Sequence, residues 1–253
     1  MSRSTPPVSD TFRRRFAVIA AVIAVSSVTL TTGVLGANPR IRAGAVRTFR
    51  RATVRIASMP ALSARLRVPF IPQERALSCE AATLRMILAY RGIKVSEEEI
   101  LKKIGLDPTP HRGNIWGDPD EAFVGDVNGR TGITGYGVHA GPMGRVAGEY
   151  RRAEVIEDAT PQTLADAVAQ GNPVIMWGFI PGRGRSIDWK TPSGKAVHAV
   201  DGEHVRVVAG YSGTTEKPTG FYVIDPIYGE QYWPVAKFVR NWESLGKTGV
   251  VVY

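Results

Sequence analysis

The chain has 253 residues with 32 Lys and Arg against 23 Asp and Glu, a net charge of +9, and one cysteine, which rules out an internal disulfide. That length allows one or two domains. Residues 1–67 hold twelve arginines, no lysine and one acid, a net of +11, so the remainder sums to −2; a nucleic-acid-binding domain would carry its basic charge on the folded face, which excludes nucleic acid as the partner.

Residues 1–37 read as a basic leader. Three arginines, Arg13, Arg14 and Arg15, precede Phe16 to Gly36, 21 residues without a charge. At about 1.5 Å per residue such a segment crosses a bilayer as a signal-anchor helix. The small residues from Val34 to Ala37 fit a cleaved secretory signal as well. Either reading makes the membrane a partner of the N-terminal segment and places the following domain outside the cytoplasm, membrane-anchored or secreted. A lone cysteine avoids mispairing there. Residues 38–66 read as a basic linker broken by Pro39 and Pro60, with IRAGAVRTFRRATVRIA alternatively an amphipathic helix on anionic lipid. The folded domain is expected over 67–253.

Within that domain the pattern predicts a helix over Cys79–Tyr90, closed by Arg91 and Gly92. A second helix follows Ser96 and Glu99, a capping-box pair, and ends near Gly105. From Asp107 to Gly148 the chain is rich in Gly, Pro and Asn and reads as a long irregular insert. Thr160 and Pro161 start another helix, which Gly171 ends. PVIMWGF is a buried strand, and the polar stretch from Pro181 to Glu203 is expected as an exposed loop. Strands at HVRVVAGY and FYVIDPIYG, one around Gln231–Trp233, a helix near Val235–Trp242 and a last strand at Val250–Tyr253 complete the chain. Helices first and paired strands later favour an α+β fold.

Cys79 opens its helix, where the macrodipole and free N–H groups favour a thiolate. The competing reading is a small buried apolar residue. Gln73, shortly upstream, carries a side-chain amide able to stabilise an oxyanion. A thiol nucleophile needs an imidazole and the imidazole an orienting group. If the HVRVVAGY and FYVIDPIYG strands pair, His204 and Asp225 meet at one sheet end, giving Cys79, His204 and Asp225 as a triad. His198 is the rival base, in the similar setting AVHAV. His111 and His139 have no partner at metal-ligand spacing, and Asp118 and Asp120 lack a calcium-loop pattern, so no metal site is expected. No nucleotide fingerprint is present.

The stretches PFIPQERALSCEAATLRMILAYRG, PVIMWG, EHVRVVAGY and FYVIDPIYGEQYW resemble the papain-like double-glycine (bacteriocin-processing) peptidases, in their stand-alone secreted branch. The resemblance runs from about Arg67 to Tyr253. It implies a papain-like cysteine peptidase fold, with a nucleophile-bearing helix packed on an antiparallel sheet. By position it implies Cys79 as nucleophile, His204 as general base and acid, Asp225 as orienter and Gln73 as oxyanion donor. It also implies that the insert helps to build a substrate groove, with Trp116, Phe123 and Tyr136 as candidate lining residues; core packing is the other reading of each. The expected activity is hydrolysis of a peptide or protein substrate without a cofactor. The chain departs from better-known members at Ser78 and Glu80, and a carboxylate at Glu80 would raise the thiol pKa. A catalytically silent peptide-binding or regulatory module is the alternative.

Overall fold

The computed structural model describes residues 62–253. In chain order the elements are β1 (Leu62–Arg65), α1 (Cys79–Tyr90), α2 (Glu97–Ile104), β2 (Leu106–Asp107), β3 (Phe123–Val124), α3 (Ala140–Tyr150), β4 (Ala153–Ile156) and α4 (Pro161–Ala169). They continue with β5 (Val174–Phe179), β6 (Trp189–Lys190), β7 (Ala196–Val197), β8 (Glu203–Gly213), β9 (Pro218–Asp225), β10 (Gly229–Pro234), α5 (Val235–Trp242) and β11 (Gly249–Val252). The segment Phe16–Gly36 lies outside the described residues. Among the described residues no helix is long and apolar enough to cross a membrane.

The main sheet runs β10-β9-β8-β5-β11-β4, and every pairing in it is antiparallel. β8 is its spine. Its β-branched run Val205, Val207 and Val208 suits a pleated, doubly covered position, and all three are buried. One edge of β8 is shared by two partners: β5 pairs with residues 203–208 and β1 with residues 210–212. Gly210 permits that second approach, since a Cβ there would lie 2.8 Å from the Ala64 carbonyl oxygen. Leu62–Arg65, expected as the end of a linker, is therefore a sheet strand.

Side chains alternate across a strand, so β8 serves two cores. Val205, Val207 and Ala209 pack with Ile175, Trp177, Ile224 and the apolar residues of α1, α2 and α3. Val208 packs on the other face with Met176, Phe221, Val223, Phe238 and Trp242, closed by α4 and α5. α1 is apolar almost all round because it lies between the sheet and the outer helices α2 and α3. The caps follow the sequence: Ser96 Oγ accepts the Glu99 N–H at 3.1 Å, and Thr160 and Thr163 cap α4 reciprocally.

Two expectations are corrected. The insert is not irregular to Gly148, because α3 begins at Ala140. Its glycines and Pro142 mask the helix, but proline is tolerated in a first turn. Gly144 is needed there, since a Cβ would lie 2.4 Å from Val155 on β4. The polar stretch after Phe179 is not wholly exposed either. β6 and β7 form a small hairpin, and Trp189, Val197 and Ala199 are buried against Trp116, Val124 and Tyr136 as a third core.

Candidate active site

Three segments converge on the start of β8: the turn before α1, the loop before α3, and the end of β9. The turn is held by its own side chains. Ser78 Oγ accepts from the Arg75 N–H at 3.1 Å and donates to the Arg75 carbonyl at 3.2 Å. Gln73 Nε2 donates to the carbonyls of Arg75 and Ala76 at 2.8 and 3.0 Å. The backbone N–H of Gln73 reaches the Pro226 carbonyl at 3.1 Å, tying this turn to the end of β9. The side-chain amide of Gln73 thus braces the turn, and its N–H groups are not free for an oxyanion.

Cys79 is the first residue of α1 and is buried. Its thiol donates to Glu80 Oε2 at 3.3 Å. Burial pushes the thiol well above its ordinary range, and the charges of Glu80 and Glu203 push it further, against one hydrogen bond from the Val205 N–H. The helix terminus expected to favour a thiolate is therefore outweighed. Glu80 is also buried, and its Oε1 accepts the Val138 N–H at 2.8 Å. Burial raises its carboxyl to about 7. Glu203 is buried with neither carboxylate oxygen partnered. Burial and the neighbouring Glu80 charge raise it well above its usual range.

The next residue of β8 belongs to a different network. His204 Nε2 lies 3.0 Å from Asp225 Oδ1, which also accepts the N–H groups of Ile227 and Tyr228 at 2.8 and 3.1 Å. Arg206 Nε donates to Asp225 Oδ2 at 2.7 Å, and its Nη2 reaches the Phe179 carbonyl at 3.3 Å. The guanidinium lies 4.6 Å from the Trp233 ring centre, a cation–π contact inside the protein. Burial alone would raise Asp225, but His204, Arg206 and the Ile227 N–H overcome it and hold the carboxyl at about 2. Burial lowers His204, partly offset by Asp225.

The structure thus joins His204 to Asp225 and brings Cys79 to the backbone of the residue after His204. No hydrogen bond joins the thiol to the imidazole among the described residues. Strand alternation supplies the reason: Glu203 and Val205 share the face that meets α1, whereas His204 and Arg206 lie on the other. His198 is not at this site; it is exposed, with Nδ1 at 2.9 Å from Asp188 and Nε2 at 3.0 Å from the Ser244 carbonyl.

The three aromatics expected to line a groove are interior residues. Trp116, Phe123 and Tyr136 are all buried. Trp116 stacks on His111 with ring centres 4.1 Å apart, and Tyr136 meets the edge of Trp189 at 4.9 Å. Phe123 packs in the α1 core. Glu203 and Arg206 were missed as members of the site. The signal for both was in the sequence, as charged residues inside a β-branched strand with no loop to hold them.

Residues 65–250 match the Peptidase_C39 like family. The uncharacterized protein YvpB of Bacillus subtilis (strain 168) is 28% identical over 182 residues, covering 69% of this chain and 68% of that protein. A crystal structure of a putative C39-like peptidase from Bacillus anthracis superimposes with a TM-score of 0.64 at 25% identity, covering 78% of this chain and 98% of that one. With the mixed helices and antiparallel sheet, these matches identify the fold as α+β and papain-like. The chain belongs to the Peptidase_C39 like family.

Proposed function

We propose that this chain is a cysteine peptidase whose nucleophile is Cys79 and whose base is His204, oriented by Asp225. The observation that carries the reading is the finished half of the machinery: a buried His204–Asp225 pair at 3.0 Å, with Asp225 held from behind by Arg206. His204 commits Nε2 to Asp225, which leaves Nδ1 to take the thiol proton. Because β8 holds the imidazole on the face away from α1, a turn of the thiol alone does not join them; the thiol must leave Glu80 and the start of β8 must rearrange as substrate enters. The thiolate then attacks the scissile carbonyl, the imidazolium protonates the leaving amine, and water releases the acyl group. The backbone N–H of Cys79 is one oxyanion donor; Gln73 is a second only after releasing Arg75 and Ala76. With Phe16–Gly36 as an anchor or a signal, the substrates are peptides or proteins at the outer face of the cell.

A silent peptide-binding module is the second reading, favoured by the Cys79–Glu80 contact at 3.3 Å. Alkylation of the full chain by iodoacetamide from about pH 5 to 9, with digestion of a mixed peptide library followed by mass spectrometry, separates the two. A peptidase gives cleavage that Cys79→Ala and His204→Ala both abolish, and alkylation that shifts towards neutral pH when peptide is present and loses that shift in His204→Ala. Labelling only above the ordinary thiol pKa of about 8.5, indifferent to His204 and without cleavage, overturns the peptidase in favour of the module.

A further inference from the structure

Beside the His204–Asp225 pair lies a cluster of which the peptidase mechanism uses only Cys79. The ligand atoms of Cys79, Glu80 and Glu203 lie within 4.8 Å of one another, and all three residues are buried. A group of carboxylates alone would mean little, but Glu203 adds an independent anomaly. It is 6% exposed, and neither of its oxygens has a partner. Leaving a buried carboxylate unpaired is costly, and a bound cation is one of the few things that removes the cost. The backbone makes room for the arrangement at Gly137, which has φ +144° and where a Cβ would lie 2.4 Å from Glu80 Oε1 and 2.8 Å from Glu203 Oε2. Any side chain there would occupy the space between the carboxylates and the loop.

We propose that Cys79, Glu80 and Glu203 form a binding site for a divalent metal ion of the zinc class. One thiolate and two carboxylates suit such a borderline ion better than calcium or magnesium, which take oxygen ligands only. Tetrahedral bonds of about 2.0 Å to oxygen and 2.3 Å to sulfur put ligand atoms roughly 3.3–3.5 Å apart, so side-chain movements of about an ångström close the site. Three protein ligands leave a fourth position for water. Glu80 Oε1 keeps the Val138 N–H, which orients that ligand through its other oxygen. The other charged groups acting on the cluster are Glu97 of α2 on Glu80 and Arg206 of β8 on Glu203. A metal needs its thiolate and carboxylate ligands deprotonated, so affinity rises with pH. An ion here ligates the nucleophile and silences it. Cysteine and histidine spacing offers no hint of this site, because two of its three ligands are carboxylates, Glu80 beside Cys79 and Glu203 beside His204.

The test is zinc titration of the full chain against a chromogenic chelator at about pH 7.5, repeated with cobalt. The expected result is one tight equivalent, a thiolate-to-cobalt charge-transfer band that Cys79→Ser abolishes, and affinity at least about tenfold weaker in Glu203→Gln and Glu80→Gln. Two carboxamide variants, each checked for cooperative unfolding, guard against loss of fold in one. Absence of a stoichiometric site, a cobalt spectrum without the sulfur band, or unchanged affinity in both variants overturns the proposal. No peptide substrate enters the measurement, so it stands or falls apart from the peptidase reading.

Discussion

Glu203 and His204 are neighbours in one strand, yet they sit in opposite kinds of polar environment. His204 belongs to a closed network in which Asp225 receives four donors: His204, Arg206 and two backbone N–H groups. Glu203 faces the thiol and a second carboxyl with no donor at all. A satisfied buried network is rigid and holds one geometry, whereas an unsatisfied one stores unfavourable free energy until a proton, an ion or a movement relieves it. The His204 side of the site is thus built and fixed, while the Cys79 side depends on what it binds.

Removing the Asp225 carboxylate should have the largest effect. Asp225→Ala would leave Arg206 buried without its carboxylate and His204 without its orienter. A loss of about 3–5 kcal/mol is expected in urea unfolding; a loss below about 1 kcal/mol would mean the network is not what holds this end of the sheet.

The two clusters should also respond to pH with opposite signs. Folded Asp225 titrates at about 2, below the unfolded carboxyl near 3.9. Its contribution, roughly 2 kcal/mol, is fully present above about pH 4 and is lost as pH falls towards 2. Urea midpoints of the wild type and Asp225→Asn between about pH 5 and 2 check this, with the acid slope reduced in the variant. Glu203 has its folded pKa raised, so its contribution is fully present below the unfolded value and lost as pH rises. In chelator, Glu203→Gln is expected to be more stable than wild type by about 1–2 kcal/mol near pH 8, with the gap closing towards pH 4. A destabilised Glu203→Gln at high pH would show that the carboxylate has a partner after all.

The smallest effect is expected at the rival histidine. His198 makes an exposed pair with Asp188, so His198→Ala should change stability by less than about 0.5 kcal/mol. It should also leave Cys79 alkylation untouched, whereas His204→Ala slows it. Equal slowing in both variants would erase the distinction between the two imidazoles.

Much of the frame was legible because it rests on local rules. The ends of α1, the Ser96 and Thr160 caps and the paired strands around His204 and Asp225 follow from periodicity, turn residues and capping chemistry. α3 was not legible, since Gly141, Pro142, Gly144 and Gly148 argue locally for a loop and only packing on β4 reverses that. Trp116 and Tyr136 misled for a related reason: an aromatic in an irregular segment looks the same whether it faces solvent or Trp189. The His204–Asp225 pair was visible as strand register. That the thiol would meet Glu80 rather than the imidazole was not, because sequence gives the alternation along a strand but not which neighbour each face meets.

The short strand β1 has a practical bearing on how this domain is cut out or processed. It fills the stretch of β8 that β5 leaves uncovered, at Gly210–Ser212. A protein trimmed at residue 67 would lose that cover and present open backbone donors and acceptors on its longest strand, a template for edge-to-edge self-association. Cleavage upstream of Leu62 keeps the cover in place. The boundary between a well-behaved soluble fragment and an aggregating one is therefore set by four residues that the arginine-rich composition around them disguises as spacer.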